Sequence, residues 1–306
     1  MSPVAKVVAV AGGTGFVGGA IARELASRGE RIVVLTHRNR NLIFPFAPEE
    51  IRAADVTRPD SLAETLAGVD TLVISLAFRN SPIEAPRHGQ TFDRVDAGGT
   101  EALVAAAVLA GVSRLVYISG AGAAPDATKH WFRAKWRAEE AVRGSGITYT
   151  IFRPSWIYGP GDRSLNRFLG FAKWLPFIPQ IGDGQQLLRP VFVDDIGALV
   201  ADAIATGAAD NMTLEVGGPD TISMDDVIWL ALNIMERRRY IVHMPVRLMK
   251  TLTRPLTLLP SPPMTPSAID FVVQSAQVDT APLTRVLPRR LRSVKEGVAA
   301  YLAPRH

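Results

Sequence analysis

The stretch "VAVAGGTGFVGGAIARELASRG", residues 8–29, decides the fold. An apolar run reads as a buried strand, glycines follow at positions 12, 15 and 18, and an amphipathic helix then runs to Gly29. One glycine permits the tight turn, the next lets the backbone approach a diphosphate, and the third lets helix and strand pack closely. The start of the helix adds free N–H groups and a partial positive charge. The stretch therefore predicts a dinucleotide site built from Gly12, Thr14, Gly15, Phe16, Val17 and Gly18.

Working outward, short β-branched runs alternate with helical segments. Strands are expected at 6–12, 31–37, 51–55, 70–77, 113–120 and 147–153, with helices between them that end at glycines. This is the pattern of a Rossmann-type, doubly wound parallel sheet, the α/β fold class. After Arg153 prolines break the rhythm, and a strand-to-helix unit returns at "PVFVDDIGALVADAIA". The expected division is a dinucleotide-binding core at 1–154 and 191–217, with a smaller, partly interleaved substrate or partner region at 155–190 and 218–306.

The second strand ends "LTHRNR", and no acid stands between Arg31 and Ala47. An acid there would bind the adenosine ribose, whereas arginine accommodates a 2′-phosphate. His37 and Arg38, with Arg40 behind them, therefore favour NADP(H) over NAD(H). The competing reading makes both arginines solvated loop charges. Asp55 and Val56, after the third strand, are candidates for the adenine end, and Leu76 and Ala77 for the floor beneath the cofactor.

The chain has no cysteine, which removes disulfides, thiolate nucleophiles and cysteine metal sites. Its five histidines show no metal-ligand spacing, so no metal is expected. No signal peptide and no run of 18 apolar residues can be read, so a cytoplasmic location is expected. Residues 236–306 hold 12 Lys and Arg against 4 Asp and Glu, a net +8. Within them "PVRLMKTLTRPLTLLP" spaces Arg247, Lys250 and Arg254 helically among leucines. Packing on the protein's own core is the simpler expectation, and contact with a membrane periphery or a protein complex is the alternative. Nothing supplies a nucleic-acid platform.

These motifs, with "DAGGTEALVAAAVLAGVSRLVYISG", "IFRPSWIYGPGD", "RPVFVDDIGALV" and "LEVGGPDTISMDDVI", resemble the extended and atypical branches of the short-chain dehydrogenase/reductase superfamily. The chain looks most like the atypical group that contains the 39 kDa accessory subunit of respiratory complex I. That resemblance implies bound NADP(H), held structurally in that group. It also implies a Tyr proton donor, a Lys four residues later on the nicotinamide ribose, and a hydroxyl after the fifth strand.

In "KHWFRAKWRAEEAV", Lys135 matches the lysine, but Trp131 stands where the tyrosine belongs, and indole is donor only. Ser119 falls one place early for the hydroxyl. Pro154, Trp156 and Ile157 are expected beside the nicotinamide, and Tyr158 is the substitute candidate for the missing donor. Glu139, at i+4, offers Lys135 an ordinary helical partner instead. Asp194 and Asp195 read as helix-start acids, and Arg189 as a candidate ligand contact.

Three functions remain from the sequence. One is an NADP(H)-binding protein of weak or no activity with a structural, assembly or sensing role. Another is an active reductase, epimerase or dehydratase acting on a sugar nucleotide, quinone or lipid-like molecule through a non-standard acid or base. The third, from the resemblance and the basic amphipathic tail, is a peripheral membrane component handling quinone or lipid.

Overall fold

The computed structural model describes residues 5–37, 44–59 and 62–303. Its centre is a seven-stranded sheet in which every neighbouring pair is parallel. The strands are β1 (Val7–Ala11), β2 (Arg31–Thr36), β3 (Glu50–Ala53), β4 (Thr71–Ile74), β5 (Arg114–Ile118), β6 (Thr148–Pro154) and, from far downstream, β11 (Met212–Val216). Their order is β11-β6-β5-β4-β1-β2-β3, so the winding reverses between β1 and β4. A crevice opens at such a reversal, beyond the carboxyl ends of the strands.

Alternation along the strands builds two cores. Val8, Val10, Val34, Val73, Val116 and Phe152 face the helices α1 (Phe16–Ser27), α6 (Val193–Thr206) and α10 (Ala281–Val286). Ala9, Val33, Leu72, Leu115, Tyr117 and Ile151 face the other way, onto α2 (Leu62–Thr65), α3 (Gly99–Leu109) and α4 (His130–Gly144). Burial on both faces explains why the strands read as continuous apolar runs. The expected glycine stops hold: Gly29 and Gly111, just past α1 and α3, take φ of +86° and +70°.

The remaining chain forms three two-stranded sheets: β7 (Ile157–Tyr158) with β10 (Val191–Phe192), β8 (Phe177–Ile181) with β13 (Tyr240–Met244), and β9 (Leu187–Leu188) with β12 (Ile222–Ser223). Helices α5 (Leu165–Trp174), α7 (Met224–Ile234) and α11 (Val294–Leu302) close a third core around Tyr158. Asp194 and Asp195 lie in the first turn of α6, which has Phe192 as its N-cap; neither acts as the cap. Asp194 instead bonds Arg23 at 2.5 Å, and Asp195 accepts the Arg292 backbone N–H at 2.8 Å.

Helix α11 opens on a capping box, the Glu296 carboxylate accepting the Ser293 N–H at 2.8 Å. That bond, with help from Arg290 and the Ser293 hydroxyl, pulls the Glu296 carboxyl from 4.5 to about 2. A lowered folded pKa gives stabilisation that is complete above the unfolded value and is lost as pH falls toward the folded one. Acid unfolding followed by circular dichroism should therefore show a shallower loss between pH 4.5 and 2 in Glu296→Gln than in the wild type. Parallel curves would contradict the box as a stabilising element.

Candidate functional site

The first turn after β1 has little freedom. Gly12 takes φ +82°, and a Cβ there would sit well inside van der Waals contact with the Ser75 carbonyl at the end of β4. A Cβ at Gly18 would strike the Gly12 carbonyl in the same way. Gly15 caps α1 with no side-chain hydrogen bond, and no acid occupies the first turn. The opening N–H groups of α1 are thus left to an anion. Both α6 and α7, by contrast, carry two acids in their first turn.

This turn forms one wall of a cleft of about 1310 Å³. Pockets for small ligands run to ~1,000 Å³, so the space suits a dinucleotide with room beside it. Gly12, Thr14, Gly15, Phe16, Val17 and Gly18 line it, as do His37, Asp55, Val56, Leu76, Ala77, Ser119, Lys135, Trp156 and Ile157. Arg38 and Arg40 fall outside the described residues.

At one end the Asp55 carboxylate accepts the Thr57 N–H at 3.0 Å and its hydroxyl at 2.6 Å, with His37 Nδ1 3.5 Å away. Burial pushes the Asp55 pKa up, but the Thr57 bonds and the His37 and Arg58 charges outweigh it and hold it below the usual value. A carboxylate therefore faces the cleft here, delivered by β3 rather than β2.

At the other end Lys135 reaches the cleft from α4. Its ammonium lies 2.8 Å from Asp96 Oδ1 and 5.4 Å from the Tyr117 ring centroid. Asp96 is 3% exposed and belongs to a π-helical turn, Phe92–Gly98, that leads into α3. Burial pulls the Lys135 pKa down, yet the Asp96 charge and Tyr117 more than offset it and leave it raised. Asp96 is raised by burial against the pull of Lys135, and burial pushes Tyr117 up to about 12. The result is a fixed cation at the cleft floor, able to donate to a ribose hydroxyl.

Glu139 is not the partner of Lys135. It is fully buried and accepts from Arg153, at 2.8 and 2.6 Å, from Arg143, and from the Ser119 hydroxyl at 2.5 Å. Arg143 and Arg153 also lie over the Trp136 ring. This network clamps α4 to β6 and fixes where Lys135 points. It also occupies the Ser119 hydroxyl.

Trp131, one turn before Lys135, does not line the cleft. It is buried among Phe78, Phe92, Phe132 and Phe271, with ring centroids 5.4 Å from Phe271 and 6.3 Å from Phe92. Among the described residues its Nε1 has no hydrogen-bond partner. The expectation for Tyr158 is corrected. Trp156 and Ile157 face the cleft, but Tyr158 turns into the third core, where its hydroxyl donates to the Ser293 carbonyl at 3.2 Å. Burial, with Asp195 and Tyr301 nearby, raises its pKa further.

Pro154 is likewise off the cleft, its carbonyl accepting Ala121 N–H at 2.9 Å. Arg189 donates to the Gly218 and Val278 carbonyls, which makes it a strut rather than a ligand contact in this cleft. Residues that sequence reasoning missed complete the open end, among them Phe78, Arg79, Arg94, Arg163 and Phe271. Among the described residues no group of three or more His, Asp or Glu could hold a metal.

A parallel sheet reversed at β1 and β4, a glycine turn that clears a diphosphate and a lysine at the cleft floor define a Rossmann-type nicotinamide dinucleotide-binding protein. The residues present fit that cofactor: glycine at 12 and 18 lets the turn pack against the Ser75 and Gly12 carbonyls, where any Cβ would collide, and the start of α1 carries neither a capping side chain nor an acid. Comparison with known proteins agrees. The NAD(P)H-binding family profile matches residues 12–169, just over half of the chain, and the chain belongs to that family.

Among curated proteins it is 28% identical over 263 residues to subunit 9 of the NADH dehydrogenase [ubiquinone] 1 alpha subcomplex of Arabidopsis thaliana, covering 83% of this chain and 64% of that one. The chain thus spans less than two thirds of that mitochondrial relative. It is 26% identical to the ceramide reductase of Caulobacter vibrioides, over 78% and 74% of the two chains. Among solved structures, MoeE5 in complex with UDP-glucuronic acid and NAD superposes with a TM-score of 0.76 at 19% identity, covering 96% of this chain and 97% of that one. That likeness speaks for the fold.

Proposed function

We propose that this protein holds NADP(H) in the cleft as a retained cofactor, with weak or no hydride-transfer chemistry, and serves a structural, assembly or sensing role. The observation that carries this reading is the separation of two neighbours on α4. Lys135 reaches the cleft, while Trp131, at the position of the family's tyrosine, is buried in an aromatic cluster and has no proton to exchange. The preference for NADP(H) is supported by the absence of an acid from Arg31 to Ala47 and by Arg38 following His37. A relative named as a subunit of an NADH dehydrogenase [ubiquinone] subcomplex supports a structural or assembly role. A membrane-peripheral or complex-bound location belongs to the same reading.

A second reading, an active reductase, epimerase or dehydratase, is favoured by the open end of the cleft, where Arg79, Arg94 and Arg163 stand beside Phe78 and Phe271. The relative named a ceramide reductase points the same way. In that case the proton comes from water or from His88, whose imidazole lines the cleft.

The two are separated by incubating the protein with NADPH and a panel of ketones and sugar nucleotides and following oxidation of the nicotinamide. The wild type should leave NADPH reduced. Trp131→Tyr places its phenol one helical turn from Lys135 but within the aromatic cluster off the cleft, so turnover should stay at the wild-type background. Robust turnover by the wild type, lost in His88→Ala, would overturn the first reading.

A further inference from the structure

Among the described residues twelve large hydrophobic side chains are exposed, and eight of them lie within 174–177 and 240–259. Strand pairing brings these two stretches together. In the parallel β8–β13 pair Phe177 stands opposite Tyr240, and alternation puts Val242 on the same outward face while Ile178 is buried. Trp174, 87% exposed, ends α5 three residues before Phe177, and Tyr240 is 77% exposed. One proline after β13 comes α8 (Val246–Thr253), where Leu248 and Leu252, one turn apart, are 53% and 58% exposed. The simpler expectation, that these leucines pack on the core, fails.

The charge around them is mostly positive. From Glu236 to Leu259 there are six Lys and Arg and one acid, and Lys173 precedes Trp174. Lys250 is spent on Asp270. Lys173, Arg238, Arg247 and Arg254 meet no carboxylate among the described residues.

We propose that this face, formed by the end of α5, the β8–β13 pair and α8, docks on an anionic phospholipid surface. Tryptophan and tyrosine seat at the boundary between headgroups and hydrocarbon, and the flanking cations are drawn to negative lipids. A short helix with leucines on one side and arginines beside them lies in that plane. A second copy of the chain is the poorer occupant, because two such faces would bring like charges together. Protein partners are disfavoured as well, since the cores of protein interfaces are depleted in charge, and here Lys173, Arg238, Arg247 and Arg254 are interspersed in sequence with the exposed apolar residues. Among the described residues no helix is long and apolar enough to cross a membrane, so contact would be at the surface. The face is tied to the cleft: α8 reaches α9 (Pro266–Val272) through the Lys250–Asp270 pair, and α9 supplies Phe271 to the cleft wall.

The test is sedimentation of the full chain with phosphatidylcholine vesicles that do or do not contain phosphatidylserine. Retention is expected on the serine-containing vesicles at low salt, falling as salt rises, with little on phosphatidylcholine alone. Leu248→Ser with Leu252→Ser should weaken it by about tenfold. Arg247→Ala and Arg254→Ala should each cost about fivefold. Leu109→Ser, on the exposed end of α3, should leave it unchanged, and unaltered thermal unfolding of each variant establishes that the fold persists. The proposal is overturned by absence of retention at low salt, by equal retention on neutral vesicles, or by full retention of the leucine and arginine variants. It is equally overturned by concentration-dependent self-association that Trp174→Ser abolishes while vesicle retention stays intact.

Discussion

Asp96→Leu should lower the unfolding free energy by about 3–5 kcal/mol, and adding Lys135→Met should restore most of that loss. Removing the carboxylate strands the Lys135 ammonium beside the buried Tyr117 ring without the Asp96 charge that offsets its burial, and an uncompensated buried charge is among the costliest single changes. Removing both charges leaves an apolar contact of similar volume, which is often neutral. Chemical denaturation of the two single variants and the double variant gives the coupling directly. A loss under about 1 kcal/mol for Asp96→Leu would mean that Lys135 escapes to solvent and is not held at the cleft floor. The double variant carries a second readout. Its fold should recover while its dinucleotide affinity should not, because the proposed contact from Lys135 to the ribose is lost.

Gly12→Ala should weaken NADPH binding by about 100-fold or more, for a reason that is purely geometric. The φ of +82° costs an L residue about 1–3 kcal/mol, and the new methyl meets the Ser75 carbonyl, so the turn must leave β4 and spoil the diphosphate cradle. Gly68→Ala is the control. That glycine also has positive φ, +72°, but open space around it, so the substitution costs the same backbone strain and leaves binding intact. Equal binding losses in the two variants would point to general destabilisation rather than to the cradle.

The parts of this site that could be read from sequence are those set by local pattern. The run of residues 8–29 encodes strand, turn and helix within one window, and each β-branched run became a strand of the central sheet to within a few residues. Lys135 could be located because one helical turn and its flanking motifs fix it. Asp96 could not, since its meeting with Lys135 depends on a π-helical turn that no spacing rule announces. Phe271 comes to the cleft from a helix far along the chain, beyond reach of any period. Tyr158 went wrong by a single step of alternation: with Ile157 facing the cleft, its neighbour must face away. Glu139 shows the same limit, because helical spacing offered it to Lys135 while tertiary packing gave it to Arg153, Arg143 and Ser119.

The proposed preference for NADP(H) depends on Arg38, which follows His37 in the sequence. Its most direct test is a titration of the full chain with NADPH and with NADH, followed by energy transfer from tryptophan, since Trp156 lines the cleft. The predicted result is saturable binding of both, with NADPH about 10- to 100-fold tighter, the worth of one charge-assisted bond to the 2′-phosphate. Tighter binding of NADH, or no saturable binding of either dinucleotide, would contradict it.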